Sequence, residues 1–477
     1  MFPSSAVAAP VVVLSPHGRA SVRNDPFVSG PALTPPPPGS RAVALAASAR
    51  TPAPRGGKPR RPQRTVTSEL ARLYRTDAIT RSAYLGYAGS FAAALAAERK
   101  LQGARAAELA AVTENLHQIA ADGALTPSRL PALFQTLDRN RQWWTTGPLL
   151  SPGQRVEFSD SPLVWEYYAG QGIQLQVLGS FGKADALYSA GPAEYPQLES
   201  LLAEMLPLAA SRGGGLTWEY YFNFDGGAPP WTSAMSQATG LEALTRAYLA
   251  TGNHAYLSLA HSALPVFSTP PPVGVNVKTA LGIRYLQYSF APDTAIINAF
   301  LQTLIGLYDY AHVSGDPEAA ALFAAGDAEA RAEVPSYDTG AWSLYQPGVE
   351  DSLDYHTLVT GFLGQLCQLT AAPIYCTTAD HFQAYLETPP ALSLLTAGAR
   401  VRKPVSIRFR LSKYSHVGIV VAQGRRTTFQ TSADFGYGVD SFSIPPLTHS
   451  GQYTVRLAAT DLAGNFARIA GTLTASR

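Results

Sequence analysis

The hydrophobic period of this chain changes once, at Thr388-Pro389-Pro390, and the change restricts what it can fold into. Upstream, apolar residues recur at helical spacing: Leu109, Val112, Leu116 and Ile119 within 106–121, then Met235, Ala238, Leu241, Leu244 and Tyr248 within 233–250. Steps of three and four residues put such side chains on one stripe of a helix, and that stripe must be buried against a neighbour. Thr251-Gly252-Asn253 and Gly315-Asp316-Pro317 read as stops, because glycine accepts the left-handed turn after a helix and proline opens the next. Further helices are predicted over 163–187, 198–210 and 298–313, with aromatic-rich loops between them. Downstream the period becomes two: 405–411 and 453–457 alternate, and 417–422 is an apolar run of strand length. The prediction is a mainly α fold. An (α/α) toroid of helix pairs over 68–388, its loops lining a groove at one end, precedes a small antiparallel β-sandwich over 391–477.

Length and charge narrow the class further. A chain of 477 residues exceeds what one core organises, so more than one domain is expected. Lys and Arg outnumber Asp and Glu nine to one in 1–67 and eleven to three in 391–477, whereas 68–390 holds sixteen against thirty. A nucleic-acid protein concentrates its positive charge on a recognised folded module; none is found, and nucleic acid is set aside as a partner. No apolar run reaches the roughly 18 residues that a membrane-spanning helix needs. Residues 1–67, with Pro35-Pro36-Pro37-Pro38 and Arg60-Arg61-Pro62, are predicted to be a disordered tail, since their composition buries too little apolar surface to offset chain entropy. Inside that tail, Arg41 precedes a short apolar run, 42–47, and Ala47-Ser48-Ala49 has the small residues of a cleavage site. A secreted or cell-surface location is the resulting expectation. Cys367 and Cys376, nine residues apart, suit either a disulfide or two buried thiols, and without more Cys or a His cluster they do not make a zinc site.

Four segments carry the chemistry. They are Trp231-Thr232-Ser233-Ala234-Met235-Ser236-Gln237; Gln287-Tyr288-Ser289-Phe290-Ala291-Pro292 running on to Asn298-Ala299-Phe300; Tyr337-Asp338-Thr339-Gly340 through Tyr345; and Asp354-Tyr355-His356-Thr357. In this order and spacing, over 231–370, the set resembles the C-terminal helical domain of the D-glucuronyl C5-epimerases, which invert C5 of a uronic acid inside a polysaccharide. The resemblance implies that Tyr288, Tyr345 and Tyr355 are catalytic and converge on one groove, with His356 beside the third. Two positions depart from the family. Its glutamate before the first tyrosine is Gln287 here, and its arginine three places after the second is Gly348. The family's animal members also carry a β-barrel domain that contributes tyrosines, and no strand-rich segment is read upstream of residue 231. The C-terminal strands, with the turn Asp461-Leu462-Ala463-Gly464-Asn465, resemble the Ig-like modules appended to bacterial surface and secreted enzymes.

Inverting C5 of a uronate needs a base on one face, an acid on the other, and hydrogen bonds or positive charge on the carboxylate that receives the electron pair. Tyrosine suits the acid, and serves as base where its pKa is lowered. Candidate substrate-binding residues are Arg284, able to replace the lost positive charge, Gln287, His356, and two aromatic pairs, Tyr167-Tyr168 after Trp165-Glu166 and Tyr220-Tyr221 after Trp218-Glu219. An aromatic on such a scaffold is more often core than subsite, and His117, His254, His261 and His312 are given no catalytic part. The expected function is an isomerase of polymer-linked uronic acid working without cofactor or metal. A noncatalytic polysaccharide-binding protein and a uronate lyase are the alternatives. Expected partners are a uronic-acid polysaccharide and, through the basic sandwich, cell-wall or anionic glycan; homodimer formation stays open.

Overall fold

The computed structural model describes residues 8–29 and 64–477; the proline run 35–38, the leader-like stretch 41–49 and Arg60-Arg61-Pro62 lie outside them. The described residues form two compact units, one of 8–29, 64–294 and 302–329, the other of 295–301 and 330–477. No helix among them is long and apolar enough to cross a membrane.

In the first unit the helices Val66–Arg75, Arg81–Glu98, Gly103–Ala121 and Leu130–Thr146 come first. The helix Ala234–Thr251 follows its predicted stripe closely. Ser233 caps it by accepting from the Ser236 N–H, and Gly252, at φ 72°, ends it with its N–H on the Tyr248 carbonyl. Over 8–29 the predicted disordered tail is corrected, because Ala8–Leu14 and Ala20–Ser29 are strands. They pair with each other, and the first runs parallel to Arg155–Phe158. Ser161–Tyr168 and Gly172–Leu175 complete a five-stranded sheet. Val11, Val12 and Leu14 are buried, enough apolar contact to order a segment whose average composition argued against order. A polar cross-link adds to it: Lys183, on the helix Val177–Ala190, reaches Asp25 at 3.2 Å and Glu157 at 2.6 Å, and Arg23 holds the same two carboxylates.

That sheet also corrects the helix predicted over 163–187 and supplies the strand-rich segment not read upstream of residue 231. Every residue from Leu163 to Tyr167 is buried, so the strand shows no alternation and looks like part of a buried helix. Next, Ala210–Arg212 and Gly215–Thr217 form a hairpin whose two-residue turn is Gly213 and Gly214, at φ 59° and 88°. Positive φ at both central residues is what a type I′ hairpin turn requires, which explains glycine at these two positions.

The second unit opens its C-terminal part with the helices Leu353–Thr370 and Pro373–Tyr385, joined by a Cys367–Cys376 disulfide with Cα atoms 4.9 Å apart. Beyond them lie a three-stranded sheet centred on Val405–Leu411 and a five-stranded sheet containing Ser415–Gln423, Arg426–Phe435, Gly451–Asp461 and Phe466–Ser476. Pairing is antiparallel except where Gly398–Arg400 meets the last strand. The alternation read from sequence is literal: Val405, Ile407, Phe409 and Leu411 point into a core with Val417, Ile419, Val455 and Leu457. Buried polar groups bind the sheets to the helix pair. Lys413 Nζ donates to the carbonyls of Tyr385 (2.8 Å) and Thr388 (2.5 Å) and pairs with Asp461 at 2.6 Å. Glu350 accepts the Tyr414 and Tyr437 N–H groups, each at 2.8 Å.

Two predictions come from these buried groups. Arg212 donates to the carbonyls of Pro230 (3.1 Å), Pro272 (2.6 Å) and Val273 (2.6 Å) and pairs with the fully buried Glu219 at 2.6 Å. Removing Arg212 leaves three buried carbonyls without that donor and Glu219 with Arg129 as its remaining cation, so Arg212→Met is expected to destabilise the chain by about 3 kcal/mol in denaturant unfolding. In the second unit, burial pushes the Asp351 carboxyl up to about 7, against the lowering effect of the Ser343 hydroxyl. Its native state therefore holds a proton that the unfolded chain releases near pH 4. The stability it contributes is complete below that pH and is lost as pH rises toward 7. His356, which burial pushes down to about 4, acts with the opposite sign, so the test is a comparison. Between pH 4.5 and 7.5, Asp351→Asn should gain about 1–3 kcal/mol relative to the parent. A constant difference over that range would refute the assignment.

Candidate active site

The loop that carries Tyr288 is stitched to the start of the helix Ala234–Thr251. Ser289 N–H donates to the Thr232 carbonyl (2.9 Å), Thr232 N–H to Ser289 Oγ (3.1 Å), and Ala234 N–H to the Leu286 carbonyl (3.0 Å). Trp231 enters by a second route, pairing its backbone with Tyr220 in both directions, at 2.8 and 3.1 Å. The rings follow from that backbone. Tyr220 stacks on Trp231 at 4.2 Å, Tyr288 meets Trp231 at 5.7 Å and stacks on Phe290 at 5.3 Å, and Phe224 lies 5.6 Å from Tyr288. Tyr168 joins through Phe222 at 4.6 Å and Phe224 at 6.0 Å. Tyr168, Tyr220 and Tyr288 thus share one aromatic patch, with Tyr168, Phe224 and Phe290 partly exposed at its edge.

Polar groups run along the same patch. Gln176 donates to the Tyr168 hydroxyl (2.8 Å) and accepts from that of Tyr220 (3.3 Å), which also bonds Ser236 Oγ at 2.7 Å. Arg155 and Glu166 form a buried ion pair on adjacent strands, and Gln176 reaches Glu166 at 3.4 Å. Burial pushes the Tyr220 phenol up to about 12 and that of Tyr168 well above its ordinary value, with Glu166 adding to the latter. Both are neutral hydrogen-bond donors at physiological pH.

The other half of each aromatic pair faces elsewhere; for Tyr167 and Tyr168 this follows from successive strand residues pointing to opposite sides. Tyr167 donates to Glu108 at 2.7 Å, and burial followed by that carboxylate pushes its phenol up to about 12. Tyr221 donates to Glu219 at 3.0 Å. Glu219 itself accepts from Arg129 at 2.7 and 2.9 Å as well as from Arg212, which makes it a structural anchor. Gln287 is half-buried and accepts from Ser233 Oγ at 3.4 Å. Arg284, on the strand Ile283–Tyr285, faces Glu329 at 3.8 Å, so a carboxylate of the protein already offsets its charge.

In the second unit Tyr345 and Tyr355 lie together, ring centroids 5.0 Å apart. Tyr355 sits in the first turn of its helix, its N–H on the capping Ser352. His356 is core. It stacks on Trp342 at 3.7 Å, donates through Nε2 to the Phe382 carbonyl (2.9 Å), and places Nδ1 2.7 Å from Ser343 Oγ. With its pKa near 4 it is neutral. Gly348 has φ 82° in the tight turn between Leu344–Gln346 and Val349–Glu350, a left-handed conformation that disfavours the arginine of the family pattern. Sequence reasoning missed Arg155, Gln176, Phe222 and Phe224. Arg155 sits on a strand that was not read at all, Gln176 follows a strand that was read as helix, and the phenylalanines carry no motif.

Residues 213–384 match the family model described as D-glucuronyl C5-epimerase C-terminus. A D-glucuronyl C5-epimerase of Caenorhabditis elegans is 30% identical over 178 residues, covering 33% of this chain and 29% of that protein. An uncharacterized protein of Methanocaldococcus jannaschii is 29% identical over 138 residues, 27% of this chain and 44% of its own length. The chain therefore spans less than half of either relative. Among solved structures, a sugar epimerase from a ruminal bacterium aligns with TM-score 0.37 and 10% identity over 53% of this chain and 69% of that one. Cellobiose 2-epimerase from Bacillus thermoamylovorans aligns with TM-score 0.34 and 11% identity over 46% and 63%. At that level of similarity nothing about this chain follows from them. Through residues 213–384, the chain is similar to the C-terminal part of the D-glucuronyl C5-epimerases.

Proposed function

We propose that this protein is a carbohydrate epimerase that inverts C5 of uronic acid within a polysaccharide. The observation that carries the reading is the family match over 213–384 combined with the placement of Tyr288 in an aromatic patch with two neutral phenols, Tyr168 and Tyr220. In this reading the C5–H bond breaks, its electron pair is delocalised into the adjacent carboxyl group, and the proton passes to a base. A proton then returns to C5 from the opposite face, which restores the charge balance with no redox step. Partly exposed rings at the patch edge supply a platform for a sugar face, and neutral phenols supply donors to the carboxylate as charge develops on it. Tyr345 and Tyr355 keep the roles that the resemblance implies. Closure of the helix pairs into an (α/α) toroid belongs to the same proposal, as does a location outside the cytoplasm, which the Cys367–Cys376 disulfide favours.

One observation favours a second reading, a noncatalytic polysaccharide-binding protein. Gln287 and Gly348 stand where the family has charged groups, and Arg284 is offset by Glu329. Isotope exchange separates the two. With a polyglucuronate in deuterated water, the C5 hydrogen should be replaced by deuterium, and Tyr288→Phe or Tyr355→Phe should each slow the exchange at least tenfold while the protein still binds the polymer. Binding with no exchange in the parent would establish the second reading. Exchange accompanied by an unsaturated, ultraviolet-absorbing product would make it a uronate lyase instead.

A further inference from the structure

The outward face of the five-stranded sheet in the sandwich holds an open groove of about 1030 Å³. Two rows of residues cross it in register. One is Gln430, Val420, Arg456 and Ala470; the other is Ser432, Gly418, Ala458 and Arg468. Their inward neighbours Ile419 and Leu457 are buried in the core, which fixes these rows on the solvent side. Small residues form the floor: a Cβ added at Gly418 would meet nothing closer than a carbonyl oxygen at 4.0 Å. Arg456 and Arg468 stand above that floor on neighbouring strands, offset diagonally, a relation that puts side-chain origins about 7–8 Å apart. Both are exposed, and neither makes an ion pair or side-chain hydrogen bond among the described residues. The acid of the adjoining row, Asp434, is matched by His416 at 2.7 Å.

We propose that this groove is a binding site for an anionic polysaccharide strand, with Arg456 and Arg468 each taking one of its carboxylates. Guanidinium presents a planar fork that fits a carboxylate with two parallel hydrogen bonds, and two such forks on a floor without bulky side chains leave room for sugar rings to lie flat between them. Gln430 and Ser432 face the same space and suit hydroxyls. Charge on the chain as a whole selects this occupant. Residues 68–390 carry sixteen basic against thirty acidic side chains, a field that repels a polyanion, while 391–477 carry eleven against three. The choice of a uronate polymer as ligand rests on the proposed function, but the site itself is a separate element that needs no catalysis.

The full chain should be retained on immobilised polyglucuronate at low salt, pass through immobilised dextran, and elute as salt is added. Arg456→Gln with Arg468→Gln should weaken retention at least tenfold. Ala458→Glu, which sets a carboxylate between the two guanidinium groups and removes neither, should do the same. Arg408→Gln with Arg410→Gln removes equal charge from exposed positions of the other sheet and should leave retention within twofold of the parent. Equal losses in the two double variants would overturn the site, since net charge alone would then account for binding. Deuterium exchange at C5 on a short soluble uronide is measured in parallel. Lost retention with intact exchange leaves the epimerase reading standing, and intact site-dependent retention without exchange leaves the groove standing.

Discussion

Glu219, clasped by Arg129 and Arg212, is the interaction on which the candidate site of the first unit depends. Its side chain is fully buried, and three donors besides Arg212 reach its two oxygens. Arg212 in turn gathers the carbonyls of Pro230, Pro272 and Val273, three points on two loops that have no secondary structure of their own. Such a cluster adds little net stability, because desolvating the charges consumes most of the Coulombic gain. Its effect is geometric. It holds the segment from Trp218 to Trp231 in one conformation, and the backbone pairing of Tyr220 with Trp231 then sets where the rings stand.

Strand geometry decides the remainder of that site. Each Tyr-Tyr pair contributes one phenol to the patch and commits the other to a buried carboxylate: Tyr167 to Glu108, by alternation along its strand, and Tyr221 to Glu219, beside the bridge that fixes Tyr220 on Trp231. The carboxylates that looked like candidate bases in the sequence are therefore held by cations and phenols. Glu219 has two arginines, and Glu166 has Arg155 and Gln176. In the second unit His356 has the same fate. Stacked on Trp342 and bonded at both nitrogens, it fixes the start of its helix and takes no proton near neutrality.

What was legible in the sequence was whatever separates apolar from polar positions along one element. The strand Val405–Leu411 alternates because its opposite face meets solvent, whereas the helix Ala234–Thr251 is buried all round from Ala234 to Thr245 and keeps its period because Ser236, Gln237, Thr239 and Glu242 fill the positions between the apolar ones; Gly252 marks its stop by its conformation. The N-terminal sheet was not legible for the converse reason. Val11 and Val12 are both buried, as are all residues from Leu163 to Tyr167, so the period of two is erased. The pairing of Ala8–Leu14 with Arg155–Phe158 is moreover parallel and far apart in sequence, with no turn to announce it. Tyr288 was found through a family motif, and Tyr168 and Tyr220 through the aromatic pairs that follow Trp165-Glu166 and Trp218-Glu219. Their partners Arg155 and Gln176 were not, since the strand that brings them in was itself unread.

The pKa directions bear on how the proposed chemistry divides its labour. Loss of water raises the Tyr168 phenol most, Glu166 adds to it and Arg155 offsets only part, and Tyr220 is raised by burial as well, although Ser236 and the Leu178 N–H favour its ionised form. A phenol so raised gives up a proton reluctantly, so these two act as fixed dipoles and leave proton removal to another group. That is the arrangement an enolate-like intermediate asks for. Charge developing on a carboxyl oxygen is met by donors already oriented and already dehydrated, which need not reorganise when it forms. In the proposed function the same donors would also hold a resting carboxylate, so binding would precede catalysis at the patch. An isomerase and a glycan-binding descendant of one would differ only in whether a group beside Tyr288 can accept the C5 proton. The replacement of glutamate by Gln287 falls on that step.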